Sequence, residues 1–249
     1  MYDFSWHQRH SAKTVASAAA ALSVIREIFD PKSILDIGCG DGIWLEKASD
    51  LGFREVKGVD GPWTNVEALR IAANDFVTYD LETSIDLARR FDIAISLEVA
   101  EHVSPESADI MVDNLVRHSD VILFGAAIPY QGGFRHINER WQSWWADRFA
   151  QRGYRYFDVI RPQIWHRDDV HFWYKQNILV YVDGESTERV GTFEDYVSRR
   201  RLGAYPLDIV HPEKYEAAAS YREIAFRPLI RELPSGVVNK LRLMLLGKT

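Results

Sequence analysis

Residues 33–44, SILDIGCGDGIW, constrain the chain more than any other stretch. Ile34, Leu35 and Ile37 make the short apolar run of a strand buried on both faces. Gly38, Gly40 and Gly42 follow at alternating positions and permit a tight turn whose backbone passes close to a ligand. The residues after Gly42 can begin a helix. The spacing is D-x-G-x-G-x-G. It is not the dinucleotide fingerprint G-x-G-x-x-G, because Ile43 stands where the third glycine belongs.

The rest of the chain repeats this strand–turn–helix grammar. A helix is expected over 14–29, with an apolar stripe through Val15, Ala18, Leu22, Ile25 and Ile28, ended by Pro31. A helix over 43–51 stops at Gly52. Further strands are expected over 55–59, 76–79, 91–97 and 121–128, and helices over 66–74, 84–90 and from Pro105 to about 118. That alternation predicts parallel βαβ units in one open, doubly wound, Rossmann-like α/β sheet. After Pro129 the pattern changes to a glycine-containing loop and a tryptophan-rich helix over 138–152. Strands over 154–160 and 172–182 read as an antiparallel pair closing the sheet. Beyond Asp183, helical stretches near 192–200, 212–224 and 235–246 read as an extension. The expected division is a domain over 1–182, including the N-terminal helix, and a helical extension over 183–249 packed on it.

Composition narrows the function classes. A chain of 249 residues can hold one large α/β domain, or one domain with an extension. The formal net charge of −6 disfavours a nucleic-acid partner. The single cysteine, Cys39, excludes an internal disulfide framework and a multi-cysteine zinc site. Its glycine neighbours mark it as a small residue in a tight turn, not a nucleophile. No apolar run approaches the roughly 20 residues of a membrane span. The N-terminal stretch lacks the uninterrupted apolar core of a signal peptide, so a cytoplasmic location is expected.

Ligands of open α/β sheets bind outside the carboxyl ends of the strands, and four such ends carry polar groups. Asp36 precedes the glycine turn, and Gly38, Cys39 and Gly40 offer backbone beside it. Asp60, followed by Gly61, lies about 20 residues past the glycines, the spacing of an acid that accepts two hydrogen bonds from a ribose diol. Asp80 with Leu81 ends the third strand, and Leu97 with Glu98 the fourth. Turn glycines and aspartates that merely cap turns are the plainer alternative. The motifs LDIGCGDG, GVDG, YDLE and SLEVAEHV, in that order and spacing, resemble those of the class I S-adenosylmethionine (SAM) dependent methyltransferases over residues 34–182. The resemblance implies SAM as cofactor. Asp36 would sit toward its ammonium, Asp60 at the ribose, Asp80 at the adenine amino group and Leu81 against the ring. A nicotinamide dehydrogenase is the rival enzyme, disfavoured by the glycine spacing and the closing strand pair.

Two constellations offer chemistry for a hydroxyl acceptor, whose proton must be removed. Glu98, Glu101 and His102 form E-x-x-E-H. This resembles the metal-binding residues of the small-RNA 3′-end 2′-O-methyltransferases and the ubiquinone-pathway O-methyltransferases, with His136 the candidate fourth ligand for Mg²⁺ or another divalent ion. The alternative is that Glu98 borders the cofactor, Glu101 caps a helix and His102 makes a structural hydrogen bond. His136 alone, in the loop over the site, is a candidate general base, or else holds the following helix through Asn138 or Glu139. Catalytic candidates are therefore His136, His102 and Glu98, with His166 and His171 weaker. Trp141, Trp144 and Trp145 serve packing or an acceptor wall, as do Trp165 and Trp173. Trp6, His7, Arg9 and His10 suggest a lid. The tail, with Arg222, Arg227, Arg231, Lys240 and Arg242, reads as a helix docked on its own domain or a neighbouring subunit, with peripheral membrane contact as the alternative.

These features point to O-methylation of a small molecule or sugar-containing precursor. N- or C-methylation and RNA 2′-O-methylation are the alternatives within enzymes. A catalytically silent SAM-fold partner protein is the alternative outside them.

Overall fold

The computed structural model describes residues 4–219, with side chains for 12–218. Residues up to Ile209 form one compact unit. A second unit begins at Val210, and its described part is the helix α8, Pro212–Ala219.

Seven strands make one sheet: β1 (Ser33–Ile37), β2 (Glu55–Asp60), β3 (Phe76–Thr78), β4 (Ile93–Leu97), β5 (Val121–Gly125), β6 (Tyr154–Phe157) and β7 (Leu179–Asp183). Their order is β3-β2-β1-β4-β5-β7-β6. Strands β1 to β5 pair in parallel, and β7 runs antiparallel to both β5 and β6. The chain starts at β1, winds outward to β3, then returns to β4 beside β1. The crevice between the carboxyl ends of β1 and β4 is thus the topological switch point, where such sheets bind ligands. The closing antiparallel pair expected from the sequence is present.

Strands β1, β4 and β5 are buried along their whole length. The two-residue period of a strand sends alternate side chains to opposite faces. Ile34, Ile93, Ile95, Val121, Leu123 and Val180 join one apolar cluster with α1 (Phe4–Ile28) and α2 (Ile43–Asp50). Leu35, Ile37, Ala94, Ile122, Phe124 and Tyr181 join the other, with α3 (Ala108–His118) and α4 (Gln142–Ala150). Burying one such aliphatic side chain stabilises by about 1.5–3 kcal/mol. That makes the two clusters the main support for the strand ends. Short helices α5 (Arg161–Ile164) and α6 (Phe172–Asn177) precede β7, and α7 (Thr187–Arg200) packs on β7 and α1. No described helix is long and apolar enough to cross a membrane.

Several local expectations need correction. Residues 66–74 form only 3-10 turns at Val66–Ala68 and Ala73–Asp75, neither with a buried residue. A short helix without an apolar face to bury lacks the tertiary support it needs. Residues 84–90 are not helical. Ala88 adopts φ 53°, and the Ile85 and Leu87 amides donate to Asn114 Oδ1 and His118 Nε2 of α3. The expected strand over 172–182 splits into α6 and β7. The tryptophan helix begins at Gln142, not 138, because Asp208 accepts from both the Ser143 amide and its hydroxyl at 2.8 Å. That cap lies far along the chain and leaves no local pattern. The helix expected over 235–246, with the basic residues from Arg222 onward, lies outside the described residues, as do the side chains of Trp6, His7, Arg9 and His10.

Candidate active site

The turn after β1 is built around an interstrand clasp. The Gly38 and Cys39 amides both donate to Val59 O, at 2.7 and 3.2 Å. Asp60 Oδ2 accepts from the Gly40 amide and Oδ1 from the Gly61 amide, each at 2.6 Å. Gly38 has φ +90°, and a Cβ there would lie 2.4 Å from the Val99 side chain. No other residue fits without displacing the turn. Among the described residues, a Cβ on Gly40 would meet nothing within 4 Å. The Trp63 and Thr64 side chains also approach the Asp60 carboxylate, so a ligand hydroxyl would exchange with them for its remaining lone pairs. The plainer alternative of a turn-capping aspartate therefore describes part of what Asp60 does without excluding the rest.

Asp36 and Asp60 are both buried. Burial, and then the neighbouring charge of Asp60, push the Asp36 carboxyl well above its usual range, and burial raises Asp60. Two confined carboxyls make the crevice receptive to hydroxyl donors and to a cation, the groups that a SAM ribose, ammonium and sulfonium present. Burial also pushes the Cys39 thiol up, which fits its assignment as an inert turn residue. Asp80 is exposed and accepts from the Glu82 amide at 3.0 Å, closing a turn. Leu81 is buried in the same apolar cluster as Leu35, Ile37 and Val59. Trp63 was not foreseen: its indole lies across Gly61, 2.2 Å from where a Cβ would stand, and is 65% exposed.

At the end of β4, after the buried Leu97, Glu98 takes a left-handed φ of 57°. Both its oxygens are engaged: Asn177 Nδ2 donates to Oε1 and Gln131 Nε2 to Oε2, each at 2.8 Å. Gln131 Oε1 in turn accepts from Asn177 at 3.0 Å and from Gln176 at 3.1 Å. Burial pushes the Glu98 carboxyl up to about 7, against the two amide hydrogen bonds that favour its charged form. The three amides escaped sequence reasoning, because a strand over 172–182 would have split Gln176 and Asn177 between opposite faces.

Glu101, His102 and His136 come together beside this network. They offer ligand atoms that all lie within 4.8 Å of one another, the one such group of three among the described residues. His136 Nε2 is 3.9 Å from Glu101 Oε1, and the two imidazole rings meet edge-on at 4.8 Å. Glu101 is fully buried, and among the described residues neither carboxylate oxygen has a hydrogen-bond partner of good geometry. Burial and then the Glu98 charge push its carboxyl well up, with some relief from the Glu101 and Ala127 amides. Its backbone carbonyl receives the Ile137 and Asn138 amides at 2.9 and 3.0 Å, which pins the loop carrying His136. Burial and His136 lower the His102 pKa. Glu98 stands outside the group, its oxygens held by the amides.

This crevice can be compared with those of known proteins. A family model described as a methyltransferase domain matches residues 5–159. The chain belongs to that family. Its sheet is that of the class I SAM-dependent methyltransferases. The ubiquinone biosynthesis O-methyltransferase of Bartonella quintana is 31% identical over 122 residues, 47% of this chain and 45% of that protein. That of Mesorhizobium japonicum is 42% identical over 82 residues, 30% of this chain and 32% of that protein. The chain thus matches less than half the length of these curated relatives. Among solved structures, the sugar N-methyltransferase KedS8 from Streptoalloteichus has a TM-score of 0.57 at 17% identity, over 73% of this chain and 92% of that one. The plantazolicin methyltransferase BpumL in complex with SAH has a TM-score of 0.53 at 13% identity, over 71% and 86%. At such identities the likeness is one of fold.

The remaining aromatic and histidine candidates sit elsewhere. Trp145 is buried against Phe124 at 5.0 Å, and Trp144 lies between the Arg140 and Arg148 guanidinium groups. Trp141 is 39% exposed. His171 stacks on Trp173 at 3.9 Å, and neither His166 nor His171 joins the Glu101 group.

Proposed function

We propose that this methyltransferase moves the methyl group of SAM to an oxygen of a small-molecule or sugar-containing acceptor. The acceptor oxygen is activated beside Glu101, His102 and His136, where a divalent cation such as Mg²⁺ is held. The observation that carries this reading is Glu101. A buried carboxylate whose oxygens have no well-aligned hydrogen-bond partner among the described residues, beside two imidazoles, costs several kcal/mol unless a cation or proton satisfies it. Two imidazoles and one carboxylate make a donor set that suits a divalent transition ion, and Mg²⁺ less selectively. The curated relatives' printed activity, O-methylation, agrees with an acceptor hydroxyl.

In this reading residues 1–182 bind the cofactor and 183–249 extend that domain. Asp60 holds the ribose hydroxyls, Gly38, Cys39 and Gly40 line the methionine part, and Asp36 faces its ammonium. Gly61, Asp80, Leu81 and Leu97 border the nucleoside and the reactive end. Methyl transfer from a sulfonium is an in-line displacement, so positioning the two reactants supplies most of the acceleration. A bound cation would lower the pKa of the acceptor hydroxyl. His136 would ligate the cation through Nε2, since its Nδ1 is hydrogen-bonded to Glu139 at 2.9 Å, and the acceptor's proton would then leave to solvent. The same bond supports a second reading, in which His136 is the base without a metal. Chelation separates the two. Methyl transfer lost on exhaustive chelation and restored by Mg²⁺ or Mn²⁺ supports the cation. Transfer that survives chelation but disappears in His136→Asn supports the lone base. Absence of any SAM or SAH binding would instead favour a silent partner protein.

A further inference from the structure

The loop between Tyr130 and Glu139 closes on a single carboxylate. Glu139 Oε2 accepts from the Tyr130 amide at 2.7 Å, and Oε1 accepts from the Gly132 amide at 2.7 Å and from His136 Nδ1 at 2.9 Å. The loop holds left-handed backbone at Tyr130 (φ 66°), Gly132 (φ 72°) and Arg135 (φ 60°). For a non-glycine residue that conformation costs roughly 1–2 kcal/mol. Tyr130 and Arg135 therefore need a partner that makes this path worthwhile, and Glu139 binds amides at both ends of the first strained turn. The His136 side chain is 9% exposed and that of Glu139 19%. The imidazole also lies flat against Gly133, where a Cβ would come within 2.0 Å of Nε2.

We propose that Glu139 is the positioning residue that makes His136 a ligand: its carboxylate holds the Nδ1–H tautomer and turns the Nε2 lone pair toward Glu101 and His102. An imidazole that donates one N–H to a fixed carboxylate is locked in tautomer and orientation, and its other nitrogen is more basic. The two backbone amides keep the carboxylate from swinging away with the ring. This rests on the cation site of the preceding section, but the orientation of His136 is a separate observable.

The test uses the whole chain in two arms. The first is ¹⁵N NMR of the histidine ring nitrogens, with His136 assigned by its absence in His136→Asn. The second is a titration with Co²⁺ followed by its absorption. Wild type should show His136 protonated at Nδ1 with Nε2 free. Glu139→Ala should lose that preference and weaken Co²⁺ about 10–100-fold, the usual effect of removing such a partner. Glu139→Gln, which keeps one acceptor oxygen but not the charge, should restore the tautomer and recover only part of the affinity. A wild-type His136 protonated at Nε2 overturns the proposal. So does a Glu139→Ala protein that is less heat-stable but keeps both tautomer and Co²⁺ affinity, since Glu139 would then only close the loop. If wild type binds no Co²⁺, the cation reading fails while the tautomer arm still decides the role of Glu139.

Discussion

Glu98→Gln reads out the buried amide network directly. In wild type the Glu98 carboxyl is pushed from 4.5 up to about 7. Between those values the native state keeps a proton that the unfolded chain releases. The Glu98 contribution to stability is therefore greatest below pH 4.5, falls as pH rises, and levels off above about 7. At about 1.4 kcal/mol per pH unit the whole loss is about 3 kcal/mol, of which about 2.5 kcal/mol falls between pH 5 and 8. Glutamine does not titrate, so the variant lacks this slope. It also places an amide NH₂ against the NH₂ of Asn177 or Gln131, because both oxygens of Glu98 receive donors. Setting one donor against another costs about 1–3 kcal/mol at every pH. The variant should be less stable than wild type at pH 5, and the gap should close or reverse by pH 8. Urea unfolding at pH 5, 6, 7 and 8, with chelator present, measures the difference. Asp36 and Asp60 titrate in both proteins and largely cancel, whereas Glu101, pushed up by burial and then by the Glu98 charge, is raised less in the variant and closes the gap in the same direction as pH rises. A gap constant to within about 0.5 kcal/mol across that range would falsify the account of Glu98 as a carboxyl raised by burial.

Other substitutions test separate parts of the molecule. Asp60→Ala should weaken SAH binding about 100-fold or more, the worth of two hydrogen bonds to a charged group; unchanged affinity by calorimetry would remove Asp60 from the cofactor site. Gly38→Ala meets both a left-handed backbone and the Val99 side chain at 2.4 Å, and should cost about 3 kcal/mol in denaturant titration. Adding Val99→Ala should recover the steric part alone. Arg161→Met should cost about 3–5 kcal/mol, because the buried guanidinium binds both oxygens of Asp158, at 3.0 and 2.7 Å, and the carbonyls of Leu207 and Pro206. A loss below about 1 kcal/mol in the same titration would mean that this ion pair is not what ties residues 206–207 to the domain.

The alternation of strands and helices and the sheet type were legible because both rest on local, periodic signals. Continuous apolar runs mark β1, β4 and β5 as doubly covered, and glycines and acids at strand ends mark the switch point. Asp36, Asp60 and the glycine turn lie where that pattern put them. The weaker elements failed where tertiary context outweighed propensity. Residues 84–90 were claimed by side chains of α3, and residues 172–177 curled into α6 so that Gln176 and Asn177 could both meet the amide network beneath Glu98.

The sequence alone could name Glu98, Glu101, His102 and His136, but it could not sort them. Four residues of two types at suggestive spacing say nothing about which oxygens are already occupied. The tertiary structure decided that. Asn177, 79 positions from Glu98, and Gln131, 33 positions away, claim both of its oxygens, while nothing of good geometry claims those of Glu101. The physical reason is that hydrogen-bond satisfaction is a property of a three-dimensional neighbourhood. A carboxylate's charge, reach and free lone pairs are set by residues brought to it from elsewhere in the chain.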